Sequence, residues 1–177
     1  MLELYTDRLK LRSLKREDWP EFLALHQDPV INKFVNRSDD LEVIKEKFEH
    51  RLAPWSFESG SWLLLVIEEV KTGRFIGYTG LYCSSLECLH AEVGYMLTQG
   101  GQKQGYATES LEAVIDWACL RYKVHKFIGL CAKDNIASQK VLEKNGFKLE
   151  GVLRDNYKLD DSWIDDCSYG LLSHERA

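Results

Sequence analysis

The period of the apolar positions switches along the chain between two and about 3.6, and each switch marks an element. Arg8-Leu-Lys-Leu-Arg-Ser13 alternates polar and apolar residues, which predicts a half-buried strand. Trp19, Phe22, Leu23 and His26 then recur at helical spacing, predicting a helix from Ser13 to Gln27 that Asp28-Pro29 stops. A second amphipathic helix follows from Leu41 to Leu52, through Leu41, Ile44, Phe48 and Leu52. Period two returns in Trp62 to Glu69 and Arg74 to Cys83, which flank Lys71-Thr-Gly73 as a hairpin turn, and Glu87 to Leu97 extends the meander. After Gly100-Gly101 the pattern is helical again, with Leu111, Val114, Ile115 and Ala118 as the inner stripe of a helix ending near Tyr122. Lys126 to Ala132 reads as a buried strand, and Ile136 to Lys144 as a short helix closed by Asn145-Gly146. Strands over Phe147 to Leu153 and Trp163 to Leu171 finish the chain. The order β-α-α-β-β-β-α-β-α-β-β is that of a mixed α/β sheet flanked by helices, and its strand-loop-helix step near residue 100 is where ligands tend to bind.

Length and composition narrow what such a sheet is for. The 177 residues are a single-domain length, taken here as one domain over 1–177, with enough chain to bury a core unaided. The longest apolar run, Trp62 to Ile67, is far below the roughly 20 residues of a membrane span. The start MLELYTDRLK has acids and no apolar stretch, so no secretory leader is expected. Lys and Arg number 23 against 28 Asp and Glu, a net charge of −5 that argues against a nucleic-acid-coating protein and suits amine-bearing partners. Five cysteines at irregular spacing make no disulfide framework and point to a reducing cytoplasm. Cys83, Cys88 and His90 lack paired zinc-ligand spacing, and His90-Ala-Glu92 has no P-C-x-x-C after it, so no metal is expected.

The chemistry concentrates between residues 92 and 147. Gln102-Lys-Gln-Gly-Tyr-Ala-Thr108 follows a strand and opens a helix, with small residues where backbone must approach something closely. A helix N-terminus carries unpaired N–H groups and partial positive charge, so this loop can hold an anionic diphosphate; it can equally be a glycine-containing helix entrance that holds water. Neither G-x-x-x-x-G-K-[ST] nor G-x-G-x-x-G is present, which excludes a Walker site and a dinucleotide crevice.

Gln102-x-x-Gly105-x-Ala107, then Asn135-Ile-Ala-Ser138, Val141-Leu142 and Gly146-Phe147, resemble in order and spacing the cofactor motifs of the GNAT N-acetyltransferases. Thr6-Asp-Arg-Leu-Lys-Leu-Arg12 at one end and Trp163-Ile-Asp165 to Leu171-Leu172 at the other resemble the RimJ/RimL branch, the ribosomal-protein alanine N-acetyltransferases. The resemblance implies a mostly antiparallel sheet with a splay between its fourth and fifth predicted strands, Glu87 to Leu97 and Lys126 to Ala132, filled by the pantetheine of acetyl-CoA. It implies backbone contacts to pantetheine around Met96 and Leu97, and pyrophosphate on the amides of Gln102, Lys103, Gln104, Gly105, Tyr106, Ala107 and Thr108. Asn135 would hold the pantetheine from the other side; as a residue type it is also a favoured helix N-cap, and both roles are compatible.

Acetyl transfer to an amine needs a proton acceptor, an oxyanion donor and help for the leaving thiolate, but no covalent nucleophile on the protein. Glu92 is the candidate acceptor, since His90, Glu92, Gly94 and Met96 share one strand face; a solvated or ion-paired glutamate is the plain alternative, and His90 is the reserve. The oxyanion donor would be a backbone N–H near Leu97. Many members of the family carry a tyrosine where this chain has Leu142, so the usual thiolate donor is missing. The resemblance to the RimL-like branch gives that role to Ser138, which can also be a helix-entry hydroxyl or a cofactor contact. Trp55 and Trp163 are the tryptophans expected near the groove, and Asp155, Asp160, Asp161, Asp165 and Asp166 form either an attraction for a cationic acceptor or a solvated rim. The expected activity is direct transfer from acetyl-CoA to a protein's N-terminal α-amine, by a monomer or homodimer. The alternatives are a polyamine or small-amine acetyltransferase and a catalytically silent CoA-binding module.

Overall fold

The computed structural model describes residues 2–35 and 40–176. Its strands are β1 (Glu3–Tyr5), β2 (Leu9–Ser13), β3 (Leu63–Glu69), β4 (Phe75–Ser85), β5 (His90–Leu97), β6 (Lys126–Ala132), β7 (Lys148–Leu159) and β8 (Ser162–Leu172). Its α-helices are α1 (Trp19–Gln27), α2 (Leu41–Leu52), α3 (Tyr106–Tyr122) and α4 (Ile136–Lys144). The strands form one sheet in the order β1-β2-β3-β4-β5-β6-β8-β7. Every neighbouring pair is antiparallel except β5 and β6, which run parallel because α3 carries the chain across between them.

Helices cover both faces. On one, Leu111, Val114, Ile115 and Ala118 of α3 and Leu142 of α4 pack on Leu65, Ile67, Ala91, Val93, Phe127 and Cys131. On the other, Phe22 and Leu25 of α1 and Ile44 and Phe48 of α2 close over Val66 and Tyr78, with Met96 against them. Successive strand residues therefore belong to different cores, which is the period-two pattern seen from both sides.

Three boundaries shift by more than two residues from the sequence reading, and one strand is added. The helix expected from Ser13 begins at Trp19, with a 3-10 turn over Arg16–Asp18 before it. Pro20 occupies the first turn, where its missing N–H costs nothing, and the Asp18 carboxylate accepts from the Lys15 amide (2.7 Å) and from Arg12, tying the preceding residues into the turn. The third strand of the meander begins at His90 rather than Glu87, because Leu89 turns through φ +52°. β7 runs on past Leu153 to Leu159: an irregularity between Leu153 and Tyr157, with Asp155 at φ +50°, interrupts the ladder and then lets it resume. β1, too short to show a period, pairs Glu3 to Tyr5 with Arg12 to Lys10.

Candidate active site

β5 and β6 pair only at their first residues, from His90–Lys126 to Val93–Gly129. Beyond that point both continue, β5 to Leu97 and β6 to Ala132, without pairing. The sheet is thus open between its fourth and fifth predicted strands, here β5 and β6. On β5 the Thr98 amide donates to the Ile76 carbonyl (2.9 Å) and the Met96 carbonyl lies against Gly77, so these peptides face β4. Strand alternation then turns the backbone of Tyr95 and Leu97 into the opening. Met96 gives its side chain to the α1–α2 core. The Leu97 carbonyl accepts from Gln102 Nε2 (3.2 Å), which ties the following loop to the mouth of the opening.

That loop is built from backbone. Lys103 (φ +61°) and Gly105 (φ +82°) are left-handed, and Gly105 caps α3 without a side-chain bond. The first amide of α3 with a helical acceptor is that of Glu109, bonded to the Gly105 carbonyl (3.0 Å). Among the described residues, the amides of Lys103 to Thr108 find no protein acceptor. A run of free amides at the positive end of a 17-residue helix is an anion cradle. Side chains brace it from outside. Gln104 Nε2 donates to the Gly100 carbonyl (2.6 Å), and Tyr106 is buried with its hydroxyl on Glu69 (2.5 Å). Arg8 donates to the Gln104 carbonyl (3.0 Å) and stacks on the Tyr106 ring, held by Glu109. A Cβ on Gly105 would sit 3.4 Å from the Arg8 guanidinium. Arg8, which the sequence analysis did not connect with this loop, places its guanidinium against it. Ala107 packs against the core, and the Thr108 carbonyl accepts from Asn145 Nδ2 (3.3 Å).

A cavity of about 320 Å³ occupies the open part of the sheet. From the α3–α4 side it is lined by Tyr95, Gly129, Cys131, Asn135, Ser138 and Leu142. From the α1–α2 side Phe34, Val35, Gly94, Tyr157 and Asp166 reach it, so it passes through the sheet. Asn135 caps α4, its side-chain oxygen accepting the Ser138 amide (3.2 Å). The Ser138 hydroxyl lies 2.7 Å from the Tyr95 hydroxyl, which also reaches the Ser138 carbonyl (3.0 Å). Burial pushes the Tyr95 phenol well above its ordinary range, so it keeps its proton. The Cys131 thiol is pushed up to about 11 by burial and by Cys167, which faces it across the β6–β8 ladder. Leu142 is buried and packs on bare Gly129. Tyr95 was passed over by sequence reading; the signal for it was its alternation with Val93 and Leu97.

On the α1–α2 face, Glu92 is half-buried and accepts a hydrogen bond from the Tyr82 hydroxyl (3.0 Å). Burial pushes the Glu92 carboxyl above its ordinary range; the Tyr82 bond opposes this, and the negative charge of Asp166 adds to it. Trp62 lies over Gly94 and against Tyr82, ring centroids 4.8 Å apart, and walls this side. The two tryptophans expected near the groove are elsewhere. Trp55 joins Phe57, Trp117 and Tyr122 in an aromatic cluster, its indole N–H on the Ser61 carbonyl (2.8 Å), and Trp163 is exposed beside the β7–β8 turn. His90 sits at the paired end of β5, its ring 6.2 Å from that of His125. Among the described residues no group of His, Cys, Asp or Glu could hold a metal ion.

An antiparallel meander, one parallel step, a sheet opened between those two strands and an amide cradle at the next helix define an acyl-CoA-dependent acyltransferase architecture. The acetyltransferase (GNAT) domain matches residues 8–148, and the chain belongs to the GNAT acetyltransferase family. It is 28% identical over 178 residues to the uncharacterized N-acetyltransferase p20 of Bacillus licheniformis, an alignment covering 100% of this chain and 99% of that one. Spermidine N-acetyltransferase from Vibrio cholerae, solved with CoA and spermine, superposes with a TM-score of 0.83 at 19% identity over 96% of this chain and 98% of that one. An acetyltransferase from Salmonella typhimurium that modifies the N-terminal serine of ribosomal protein L7/L12 superposes with a TM-score of 0.79 at 22% identity, over 94% of this chain and 96% of that one. At those identities the two structures share its fold.

Proposed function

We propose that this GNAT enzyme transfers acetyl directly from acetyl-CoA to a primary amine, and that the amine is a protein's N-terminal α-amine, as in the RimJ/RimL branch. The observation that carries the transfer is the opening between β5 and β6, with free amides at one end and a half-buried carboxylate beside it. The residues fit acetyl-CoA. The backbone of Tyr95 and Leu97 and the capping residue Asn135 would hold pantetheine, and the amides of Lys103 to Thr108, with Arg8 beside them, would hold pyrophosphate, while the amide of Gln102 is taken by the Gln99 carbonyl (3.3 Å). When bound, acetyl-CoA supplies an acetyl group activated as a thioester. Glu92 then takes the ammonium proton, directly or through water; burial raises its carboxyl above the ordinary range, which makes it a stronger base than an exposed glutamate. The Leu97 amide faces the opening as an oxyanion donor. Ser138 gives its proton toward the departing sulfur and draws on Tyr95, which stands in for the hydroxyl that Leu142 lacks.

A polyamine acceptor is the second reading, favoured by the net charge of −5 and the two carboxylates on the acceptor face. Its five cysteines are free thiols, which supports a cytoplasmic enzyme, and we propose that it acts as a monomer or homodimer. Among the described residues no helix is long and apolar enough to cross a membrane. The test is acetyl-CoA turnover against a panel of peptides with different N-termini and of polyamines, paired with mass spectrometry of cellular N-termini with and without the protein. Turnover on peptides and a loss of N-terminal acetylation in the deletion support the first reading. Turnover confined to polyamines supports the second, and acetyl-CoA binding without turnover on any amine means a silent CoA-binding module.

A further inference from the structure

Two aspartates are equally buried, at 8% exposure, and their surroundings are opposite. Asp18 receives both guanidinium nitrogens of Arg12, at 2.7 and 2.8 Å, and the Lys15 amide besides. Asp166 has one weak partner, Asn156 Nδ2 at 3.2 Å, and among the described residues no cation within ion-pairing distance. Its neighbour Asp165, on the other side of the strand, is paired with Lys133 (3.2 Å). Burial raises the Asp166 carboxyl above its ordinary range, whereas at Asp18 burial is outweighed by Arg12 and the carboxyl is held below it. A carboxylate taken out of water without a cation is costly and needs a reason.

The reason lies in what Asp166 faces. Its side chain lines the cavity in the opening of the sheet, on the face that also carries Glu92. It stands at the last pair of the β6–β8 ladder, opposite Ala132, where β6 ends. The irregularity in β7 brings Asn156 over to steady the carboxylate, and Tyr157 past it seals this wall by donating to the Phe34 carbonyl (2.6 Å). Phe34, Val35 and Gly94 complete this wall, and among the described residues that line it there is no cation. An apolar and aromatic pocket with one unneutralised carboxylate matches a small organic cation.

We propose that Asp166 binds the acceptor as its ammonium ion, which makes it the specificity-determining residue for cationic primary amines and sets the nitrogen beside Glu92. This rests on the amine-acetyltransferase reading above and adds the residue that holds the acceptor. The amine enters as R–NH3+ on Asp166 and loses one proton to Glu92 or its water. Its lone pair forms the N–C bond as the C–S bond breaks, Ser138 protonates the thiolate, and the second nitrogen proton restores the Ser138 hydroxyl. The sum is R–NH3+ and acetyl-CoA giving R–NH–acetyl, CoA–SH and one proton.

The test compares wild type, Asp166→Asn and the control Asp165→Asn as full-length proteins, with an alanine-starting peptide amide and spermidine as probes. Steady-state kinetics on the better acceptor should show KM for the amine raised at least about tenfold in Asp166→Asn, with kcat within about threefold and acetyl-CoA affinity unchanged, the signature of lost ground-state binding. Asp165→Asn should behave as wild type. The variant removes an uncompensated buried charge, so its melting temperature should not fall, which separates this result from misfolding. An amine KM equal to wild type, or a fall in kcat alone, overturns the proposal. If wild type acetylates neither probe, calorimetric binding of the same amines to the CoA-loaded protein decides the role of Asp166, and the wider amine panel decides the amine-transfer reading. Weaker binding by the variant supports it, and equal or absent binding in both proteins overturns it.

Discussion

The two ends of the opening between β5 and β6 are made of different materials. At the α3 end the site is backbone: consecutive amides from Lys103 to Thr108, shaped by two left-handed residues and braced from outside by Arg8, Gln104 and Tyr106. At the other end it is side chains gathered from distant stretches, Glu92 and Tyr82 from the meander, Asp166 and Tyr157 from the last hairpin, and Trp62 from the entry to β3. A phosphate-bearing ligand is the same in every reaction of the kind and can be held by peptide groups that any sequence supplies. An acceptor varies, and only side chains can vary with it. The first end therefore tolerates side-chain change and is sensitive to backbone conformation; the second is the reverse.

The strongest way to break this contrast is at Glu92. Glu92→Gln should lower turnover by about 10²–10⁴-fold while acetyl-CoA affinity stays as in wild type. The wild-type rate should fall as pH drops through the Glu92 carboxyl, and because burial raises that carboxyl the acid limb should lie above the ordinary carboxylate range. The variant should lose that limb, with its deficit then set by the protonation of the amine itself. A profile superimposable on wild type would move the base to His90 or to solvent.

Ser138→Ala should come next, lowering kcat by about 10²-fold with little change in acetyl-CoA affinity, as when a contact made only in the transition state is lost. If affinity falls and turnover of bound acetyl-CoA does not, Ser138 is a pantetheine contact and the thiolate leaves unassisted.

Gly105→Val tests the backbone end. A β-branched residue at φ +82° carries strain of about 1–3 kcal/mol, and its Cβ meets the Arg8 guanidinium 3.4 Å away. Acetyl-CoA affinity should fall by about tenfold or more with the sheet still folded, read by calorimetry and circular dichroism. Unchanged affinity would remove the loop from the binding site.

The smallest effect is expected at Tyr95. Tyr95→Phe removes one buried hydrogen bond to Ser138, worth about 0.5–1.5 kcal/mol, so kcat should fall about 2- to 10-fold. In the Ser138→Ala background the same change should add almost nothing, because the two act as one unit. Additive losses would mean that Tyr95 supports the fold of α4 and not the transfer.

Much of this molecule could be read before any tertiary contact was known. The periods of Leu63 to Glu69, Leu41 to Leu52 and Lys126 to Ala132 come from burial repeated along one element, which is local in sequence. The α3 loop was legible for the same reason, since Gln102 to Thr108 are contiguous and a helix start frees its amides whatever surrounds it. Sequence by itself also placed Glu92 and Ser138 on their elements and marked Leu142 as the residue without a hydroxyl. What it left undecided is pairing. Whether Tyr95 reaches Ser138 depends on α4 docking over β5, and whether Arg8 braces the loop depends on β2 lying beside α3. Asp166 is the sharpest case. Its sequence neighbours make it one acid in a run, and only the registers with Ala132 and Leu153 separate it from Asp165, one buried against the cavity with no cation among the described residues and the other paired with Lys133. A strand fixes which residues alternate; the strands beside it decide which of the two faces becomes a site.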